Sequence, residues 1–528
     1  MITKMNKISS VTIQALTFYA IVISTWGYSE SFTDYFITPK WYFSILGILL
    51  AIILYSIKRI LRKECHISAS SIKWYIITSV CTQAMYELSL KLGLHITSVP
   101  NTEAGFFENP AGFASCMSIG FPFIGTLLYN LRKSIRITGY VLLSITAIAT
   151  ALSSSRAGII SIATICTIWL YRKKRISSKL IKYTLPVILS LLLAYCYWVK
   201  KDSADGRLLI WICSIKLLAK SPLWGHGIGG FDTLYMDIQA DYFRKRGVFN
   251  HFALLADNIK HPFNEYLNIA IKFGLSGLSI LLFFMAWLYL SYKKHPNREK
   301  STAIYALTSI STFSFFSYPF TYPFTWIVSI YCIYVIMKDY TTTCFRHWTK
   351  RIIHIIIFIC SFICITTLSQ HIYSEKKWKE ANNLILLKKD ETALSLFKEL
   401  KNTLGTNPYF LYNYAVILQK YGMYEKSLAI ALSCKHYLAD YDLELVLGEN
   451  YTHTGDFKKA ETHYLQASWM CPSRFLPSYK LLLLYKKIGH HQKAKEIAIQ
   501  IIHKPIKHKT PEVLLIKREA EITLKRSH

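Results

Sequence analysis

The sequence is short of acidic residues and has no CxxC pair. Of its 528 residues, 31 are Asp or Glu and 62 are Lys or Arg, which leaves a formal charge of +31. Without CxxC spacing, the twelve cysteines support neither a zinc ribbon nor a thioredoxin-type redox site. Most of them stand inside apolar runs, where cysteine behaves as a small hydrophobic residue. The cysteines therefore indicate no disulfide framework.

The N-terminal apolar stretch lacks a small-residue cleavage site, although Lys4 and Lys7 precede it as in a signal peptide. Trp26 and Tyr28 stand at its end instead and resemble an interfacial aromatic belt. We therefore interpret this stretch as the first membrane helix.

Apolar residues dominate what is present. The chain is 52% hydrophobic and 15% aromatic, with a mean hydropathy of +0.26, which is the profile of a multispanning membrane protein. Several runs fall short of the ~20 residues that a perpendicular span needs. We predict about eleven spans, near residues 10–28, 42–57, 72–92, 111–130, 137–153, 156–171, 180–199, 274–292, 303–319, 321–337 and 352–369.

The basic residues cluster in short loops that alternate with the polar loops along the chain. Alternation places every basic cluster on one side, so the positive-inside rule predicts a cytoplasmic N-terminus and an extracytoplasmic tail. In a bacterial inner membrane that tail is periplasmic. The positive charge thus reports orientation, and nucleic acid is not an expected partner. The clusters are 58–63, 132–136, 172–179, 293–300 and 338–351.

The tail, residues 376–528, changes to a soluble helical composition. Gly422, Gly455 and Gly489 recur at intervals of 33 and 34 residues. Five positions after each glycine stands a small residue, and the register extends one repeat earlier: Ser427, Ala460, Ala494 and Ala393. A small residue where paired helices cross, repeated at this period, is the tetratricopeptide pattern. We predict a transmembrane domain over 1–375 and a soluble α-solenoid of about four repeats over 376–528.

Two short extracytoplasmic segments carry polar residues beside predicted spans. In GFFENPAGF the pair Asn109-Pro110 makes a turn that leads into a helix. In SSSRAG, Arg156 lies on the side that the positive-inside rule leaves poor in basic residues. An arginine there suits a phosphate, because a guanidinium forms bidentate contacts that lysine cannot.

The long extracytoplasmic loop, 200–262, contributes a third segment, DGRLLIW. Its Asp-Gly turn predicts a helix start and a helix lying at the membrane surface, with Arg207 in the first turn. A cation in that turn is opposed by the helix dipole unless it faces an anion.

The fourth segment, LADNIKHPFNEYL, brings His261, Asn264 and Glu265 to the mouth of an apolar helix. Ionisable groups beside hydrocarbon are costly and usually functional. Simpler interpretations stay open: the arginines contact lipid headgroups, the histidine is a surface residue, and Glu265 caps the helix. A metal site has no recognised ligand spacing, and a GxGxxG match at 225–230 lies in no βαβ unit, so it indicates a helix stop and a flexible turn.

Together the four segments resemble the O-antigen ligase/polymerase superfamily, bacterial membrane glycosyltransferases that use undecaprenyl-diphosphate-linked glycans. The resemblance covers about residues 10–370. It implies an all-α, polytopic, GT-C-like membrane bundle, and a tetratricopeptide tail is common in one subgroup. The segments are GFFENPAGFAS (105–115), SSSRAGI (153–159), DGRLLIWICSIKLLAKSPLWGHGIGGF (205–231) and LADNIKHPFNEYLNIAIKFGLSGL (255–278).

The resemblance implies an inverting glycosyltransferase that needs no metal and no cofactor. By position, Arg156 and Arg207 match the diphosphate-binding arginines of the family. Asn109, Asn264 and Glu265 are the other expected substrate-binding residues.

The expected catalytic residue is His261. In the family pattern a histidine stands directly before the asparagine that corresponds to Asn264, but Phe263 occupies that position here. His261 lies two residues earlier. We expect Pro262 and the helix entrance to redirect the chain so that His261 reaches the same point.

We therefore predict an inner-membrane enzyme that transfers a glycan from undecaprenyl diphosphate to lipid A–core or a protein hydroxyl at the periplasmic face. A polymerase that lengthens the glycan uses the same donor and stays open, because the motifs do not encode the acceptor. A transporter or a non-enzymatic anchor that displays the repeats is a third alternative, although transporters place polar groups at the midplane. Expected partners are the donor, the acceptor, membrane lipids and a protein bound by the repeats.

Overall fold

The computed structural model describes residues 2–61, 69–94, 104–172, 197–198, 200–247, 251–340 and 347–525. Within these ranges the chain is helical and contains no strand, which confirms the all-α prediction. Three 3-10 turns, Gly125–Tyr129, Pro319–Thr321 and Lys338–Tyr340, adjoin the membrane helices.

The helices of the predicted membrane region and its long loop are α1 (Ile2–Trp26), α2 (Ile37–Ile60), α3 (Ala69–Lys91), α4 (Pro110–Ile124), α5 (Lys133–Leu152), α6 (Arg156–Arg172), α7 (Lys201–Lys220), α8 (Gly230–Arg246), α9 (His251–Leu255), α10 (Glu265–Lys294), α11 (Arg298–Ser314), α12 (Pro323–Met337) and α13 (His347–Leu386). The tail adds α14 (Asp390–Leu404), α15 (Pro408–Lys420), α16 (Tyr424–Lys435), α17 (Tyr441–Thr454), α18 (Phe457–Met470), α19 (Leu476–Lys487), α20 (His491–His503) and α21 (Pro511–Lys525).

Apolar helices long enough to cross a bilayer number five within the described ranges. Two shorter apolar helices, Ser10–Trp26 and Pro323–Met337, accompany them. The predicted span at 180–199 lies almost wholly outside the described residues, and every other predicted span overlaps a helix. The helices are those of an integral membrane protein, and the count of eleven spans stays a prediction. The five are Ile37–Ile60, Pro110–Tyr129, Lys133–Leu152, Glu265–Lys294 and Arg351–Leu386.

The chain forms two compact units that do not follow chain order. The membrane unit is Met1–Leu189 with Leu281–Glu380, and the loop–repeat unit is Ser190–Ile280 with Ala381–His528. The long loop therefore clusters with the tail, whereas the division predicted from the sequence placed it with the membrane helices.

The membrane unit is built around α4, which is buried from Gly112 to Ile124. A Cβ atom at Gly112 would collide with the Tyr322 ring, and one at Gly120 would collide with Val80. Small residues let neighbouring helices approach closely in membrane proteins, where packing drives helix association. The segment that precedes α4 thus starts the central helix of this unit.

The loop–repeat unit has one hydrophobic core to which both of its parts contribute. Phe231, Tyr235 and Phe243 of α8 belong to the same buried cluster as Tyr464 and Tyr485 of the tail. A segment as short as this loop buries too little apolar surface to be stable alone. The loop helices therefore depend on the tail for their core.

The tail consists of helix pairs in the register that the glycines predict. The turns inside successive pairs are left-handed, with φ of 72° at Gly422, 87° at Gly455 and 73° at Gly489. Lys388 stands 34 residues before Gly422 and has φ 58°, so it makes the same turn without glycine. The small residue five positions later is buried in every case: Ala393, Ser427, Ala460 and Ala494. The repeat register is structural, and its assignment to the tetratricopeptide family stays a prediction.

We expect Gly455→Ala to destabilise the protein by about 1–2 kcal/mol, because an L side chain at this φ is strained. No other atom lies within 4 Å of the added Cβ, so the effect isolates the backbone. Lys388→Gly is the matched control and is expected to be neutral or stabilising, since it removes the same strain. Thermal unfolding of the purified protein in detergent measures both, and equal losses of stability would contradict this account.

Candidate functional site

The site residues predicted from the sequence are divided between the two units. The membrane unit holds two of them, Asn109 and Arg156, and the loop–repeat unit holds four, Arg207, His261, Asn264 and Glu265.

Asn109 begins α4 as its N-cap. Its side-chain oxygen accepts a hydrogen bond from the Gly112 N–H at 2.9 Å. Its amide nitrogen donates to the hydroxyls of Tyr318 at 3.3 Å and Tyr322 at 3.4 Å. Side chains of this type satisfy the unpaired N–H groups of a first turn. The structure thus assigns Asn109 a role in anchoring α4.

Arg156 is the first residue of α6, directly after the turn at 153–155. Ser154 in that turn has a left-handed backbone with φ 57°. A Cβ at Gly158 would come within 2.8 Å of Ala114 and Thr150, so the turn brings α6 against α4 and α5. A cation in a first turn is disfavoured by the helix dipole, whereas an anion is favoured there. Arg156 is therefore suited to an anion bound at this helix end.

A cleft in the membrane unit opens at the other end of α6, beside Arg172. The 17 residues of α6 separate Arg156 from Arg172 by about 24 Å at the helical rise. The charge distribution predicts that this end is cytoplasmic, so the cleft and Arg156 are not parts of one site. The cleft is lined in part by Trp169, Arg172, Tyr292, Arg298 and Tyr305.

Arg207 lies further into its helix than the sequence suggested. The Asp-Gly pair predicted a helix start at Asp205, but α7 begins at Lys201 and runs through Gly206. Arg207 therefore stands in the second turn, and the expected opposition from the helix dipole was wrong, because that effect falls off beyond the first turn.

The helix α7 holds the His261 segment through two side chains on one face. Arg207 places its guanidinium carbon 5.2 Å from the centre of the Phe263 ring. Trp211, one turn later, donates its indole N–H to the carbonyl of Pro262 at 3.0 Å. Residues four apart on a helix are neighbours. The structure thus brings Arg207 and the His261 segment together.

The chain turns sharply at Phe263, which has a left-handed φ of 53°. Left-handed backbone at a bulky residue is rare and is held only where the surroundings determine it. This bend lies between His261 and α10. The redirection that we expected at Pro262 therefore occurs one residue later.

His261 is half-buried beside the entrance of α10. Burial, together with the positive charges of Lys272 and Lys260, lowers the pKa of its imidazole to about 4. A lowered pKa keeps the ring neutral at pH 7, which is the state that accepts a proton.

Asn264 and Glu265 form the first turn of α10. The Asn264 side chain accepts from the Leu267 N–H at 3.0 Å and is therefore the N-cap. Glu265 is buried and accepts a hydrogen bond from the Asn268 side chain at 3.1 Å. The cap that we considered for Glu265 is made by Asn264.

Sequence reasoning missed a carboxylate–histidine pair in the loop. Nε2 of His251 lies 2.9 Å from Oδ2 of Asp205, and the Tyr197 hydroxyl donates to the other carboxylate oxygen at 2.9 Å. The hydrogen bonds from His251 and Tyr197 lower the pKa of Asp205. This pair ties α9 to α7, two residues before Arg207. No sequence motif indicated it, because the partners are 46 residues apart.

The helix α10 is broken at Gly274, whose φ of 69° and ψ of −173° are not helical. Backbone groups on both sides of such a break lose their helical partners. The segment 222–227 supplies new ones through four hydrogen bonds. These are His226 N–H to Ile271 O at 2.8 Å, Gly227 N–H to Lys272 O at 2.9 Å, Leu275 N–H to Pro222 O at 2.7 Å and Ser276 N–H to Leu223 O at 3.4 Å.

The GxGxxG match at 225–230 thus has a structural explanation. The predicted helix stop is confirmed, since α7 ends at Lys220. Gly225 and Gly227 have φ of 72° and 83°, and the turn is held against α10 by the backbone pairing. It is therefore part of the framework that leads into α10.

Possible metal ligands do not gather within the described ranges: no group of three or more His, Cys, Asp or Glu side chains comes together there. Two histidines of the long loop have other contacts: Nε2 of His226 lies 2.9 Å from the Leu217 carbonyl oxygen, and His251 pairs with Asp205.

Residues 140–284 match the sequence model of a family described as O-antigen ligase. The match includes three of the four segments on which the resemblance was based, at 153–159, 205–231 and 255–278, and so confirms it. Asn109 and the repeats lie outside the matched range. No curated protein sequence matches the chain.

We expect Gly274→Ala to destabilise the protein by about 2–5 kcal/mol, because it adds backbone strain and a collision with Leu223. Gly227→Ala is the matched control: its φ is also positive, but no atom lies within 4 Å of the added Cβ. The control is expected to cost about 1–2 kcal/mol. Thermal unfolding in detergent separates the two, and equal shifts would show that the close approach to 222–224 is unimportant.

Proposed function

We propose that this chain, whose residues 140–284 belong to the O-antigen ligase family, is a membrane glycosyltransferase that uses a lipid-linked donor. It transfers a glycan from undecaprenyl diphosphate to an acceptor hydroxyl at the periplasmic face of the bacterial inner membrane. The N-terminus is then cytoplasmic and the repeats are periplasmic. The observation that carries the proposal is the placement of Arg207 against Phe263, which puts a fixed cation beside the segment of a neutral histidine.

The donor's diphosphate is the leaving group, and its negative charge grows as the glycosidic bond breaks. A guanidinium placed where this charge develops stabilises the transition state more than the ground state. Arg207 is held against an aromatic ring, so little side-chain entropy is lost when it binds phosphate. Arg156 matches the other diphosphate-binding arginine of the family by position, and it stands at a helix N-terminus, where an anion is favoured.

His261 takes the proton of the acceptor hydroxyl as the new bond forms. The hydroxyl oxygen attacks the anomeric carbon, the bond from that carbon to the phosphate oxygen breaks, and the diphosphate departs with the electron pair. A positioned base of this kind typically contributes about 10²–10⁴-fold. Burial suits His261 to the role because it keeps the imidazole neutral.

The first test is transfer in vitro by the purified full-length protein. We expect wild type to move glycan from undecaprenyl diphosphate to lipid A–core or to a protein. Arg207→Ala, Arg156→Ala and His261→Ala should each lower kcat/KM by about 10²–10³-fold. Arg207→Lys should also be impaired, because an ammonium lacks the guanidinium's bidentate geometry.

Arg132→Ala and His508→Ala are the matched controls, since both side chains are exposed and lie outside the matched catalytic segments. They should retain wild-type rates. Lengthening of the lipid-linked glycan without transfer to either acceptor would identify a polymerase. Absence of both activities in folded wild type would overturn the proposal in favour of an anchor or transporter.

The pH dependence of kcat/KM tests the histidine separately. The pKa of His261 is depressed from the ordinary 6.5 to about 4, so the basic form persists well below neutrality. We therefore expect kcat/KM to be level from pH 8 to pH 6 and to fall only as pH approaches 4, since this constant reports the free enzyme. A fall centred near pH 6.5 would indicate a different, exposed histidine.

A further inference from the structure

The segment that leads into His261 runs along an edge of the repeats. Residues 257–260 lie between α9 and His261, and the side chains of three of them contact the start of one helix in each of three repeats. Asp257 meets Arg474 before α19, Asn258 meets Asp440 before α17, and Lys260 meets Tyr409 in α15. The order of partners runs against the order of the repeats.

Arg474 binds the first of these residues by an ion pair. Its Nη2 lies 2.7 Å from Oδ1 of Asp257. The same guanidinium stacks over the Tyr441 ring, with 4.6 Å between the guanidinium carbon and the ring centre. Burial alone would raise the pKa of Asp257, but the Asn258 N–H and Arg474 hold it below its usual value. The stacking keeps the guanidinium aimed at the loop.

Asp440 serves the loop and its own helix at the same time. One carboxylate oxygen accepts from the N–H groups of Asp442 and Leu443 and caps α17. The other accepts from the Asn258 side-chain amide at 2.7 Å. A carboxylate fixed by a cap is a preorganised acceptor. In the preceding repeat, Lys260 places its ammonium 4.6 Å from the centre of the Tyr409 ring.

Gln239 of α8 anchors the same segment from the other side. Its side chain is fully buried, donates to the carbonyls of Asp257 at 3.0 Å and Met470 at 2.7 Å, and accepts from Tyr235. One side chain therefore joins the loop helix, the 257–260 segment and the end of a repeat helix. A buried amide with these partners specifies a single arrangement.

We propose that this edge of the repeats is an internal binding surface whose ligand is the chain's own 257–260 segment, and that the repeats thereby position His261. The effect on catalysis rests on the glycosyl transfer proposed above, whereas the binding does not. Repeat scaffolds bind extended segments along successive repeats, and here the segment is covalently attached. Arg474 and Asp440 are positioning residues, since they act on the histidine through the backbone of 257–260.

Hydrogen exchange of the full-length protein tests the binding. Arg474→Ala is expected to accelerate exchange of the amides of 256–261 by about two- to fivefold, as a half-exposed ion pair warrants. The double variant Arg474→Ala with Asn258→Ala should accelerate exchange of these amides about tenfold. Neither substitution removes the cap of α17. The charge swap Asp257→Arg with Arg474→Asp should restore protection.

Lys480→Ala is the matched control, because it removes an ion pair with Glu449 inside the repeats, at 3.0 Å, and no contact with the loop. It should leave exchange of the amides of 256–261 at the wild-type rate. Unchanged exchange in the Arg474 and Asn258 variants, or equal acceleration in the control, would overturn the proposal.

Kinetics then test the effect on His261. We expect the Arg474→Ala and Asn258→Ala double variant to lower kcat about tenfold while KM for the donor changes less than twofold, since Arg156 and Arg207 are untouched. The charge swap Asp257→Arg with Arg474→Asp should have a higher kcat than Arg474→Ala alone. Faster exchange with unchanged kcat would overturn the positioning role, and absence of transfer by wild type would overturn the proposed reaction but not the binding.

Discussion

The break in α10 is the constraint on which the loop depends. A helix interrupted at Gly274 leaves backbone N–H and C=O groups that have to be paired, and near a bilayer an unpaired group costs several kcal/mol. The segment 222–227 pairs them, which fixes the chain directly after α7 against the start of α10. Because both ends of this pairing belong to one unit, α7 has a defined position relative to the entrance of α10. The contacts of Arg207 and Trp211 with Phe263 and Pro262 follow from that position.

The helix α7 has two apolar faces with different environments. Leu209, Cys213 and Leu217 recur every four residues and are buried in the core of the loop–repeat unit. Leu208 and Ile215 lie on the outside and are 47% and 58% exposed. Such a helix packs on protein along one stripe, and its second apolar stripe stays exposed.

Much of the fold could be predicted from local sequence patterns, because membrane helices show up as apolar runs and helical repeats as a fixed period. Gly422, Gly455 and Gly489 predicted their turns since a left-handed residue favours glycine. Lys388 makes the same turn, but its residue type gave no sign of a left-handed backbone, and only its place in the repeat register indicates the turn. The pairing of Asp205 with His251 joins residues remote in sequence, and no short-range signal encodes it. The resemblance named Arg207 and His261 as residues of one site. The stacking of Arg207 on Phe263 and the bend at that residue are tertiary features that no sequence pattern indicated.

The shared core explains why the loop and the tail form one unit although residues 281–380 of the membrane unit separate them in the chain. Gln239 is a polar side chain at zero exposure, and two of its three partners lie outside its own helix. A polar residue is tolerated at such a point only when every hydrogen bond is made, so the loop cannot adopt this arrangement unless the repeats are already paired with it. The backbone bond from Ala439 N–H to Asp232 O, at 2.8 Å, adds a second such link. The repeats are therefore part of the structure that holds the candidate site, and a partner protein at this edge would have to displace the chain's own segment.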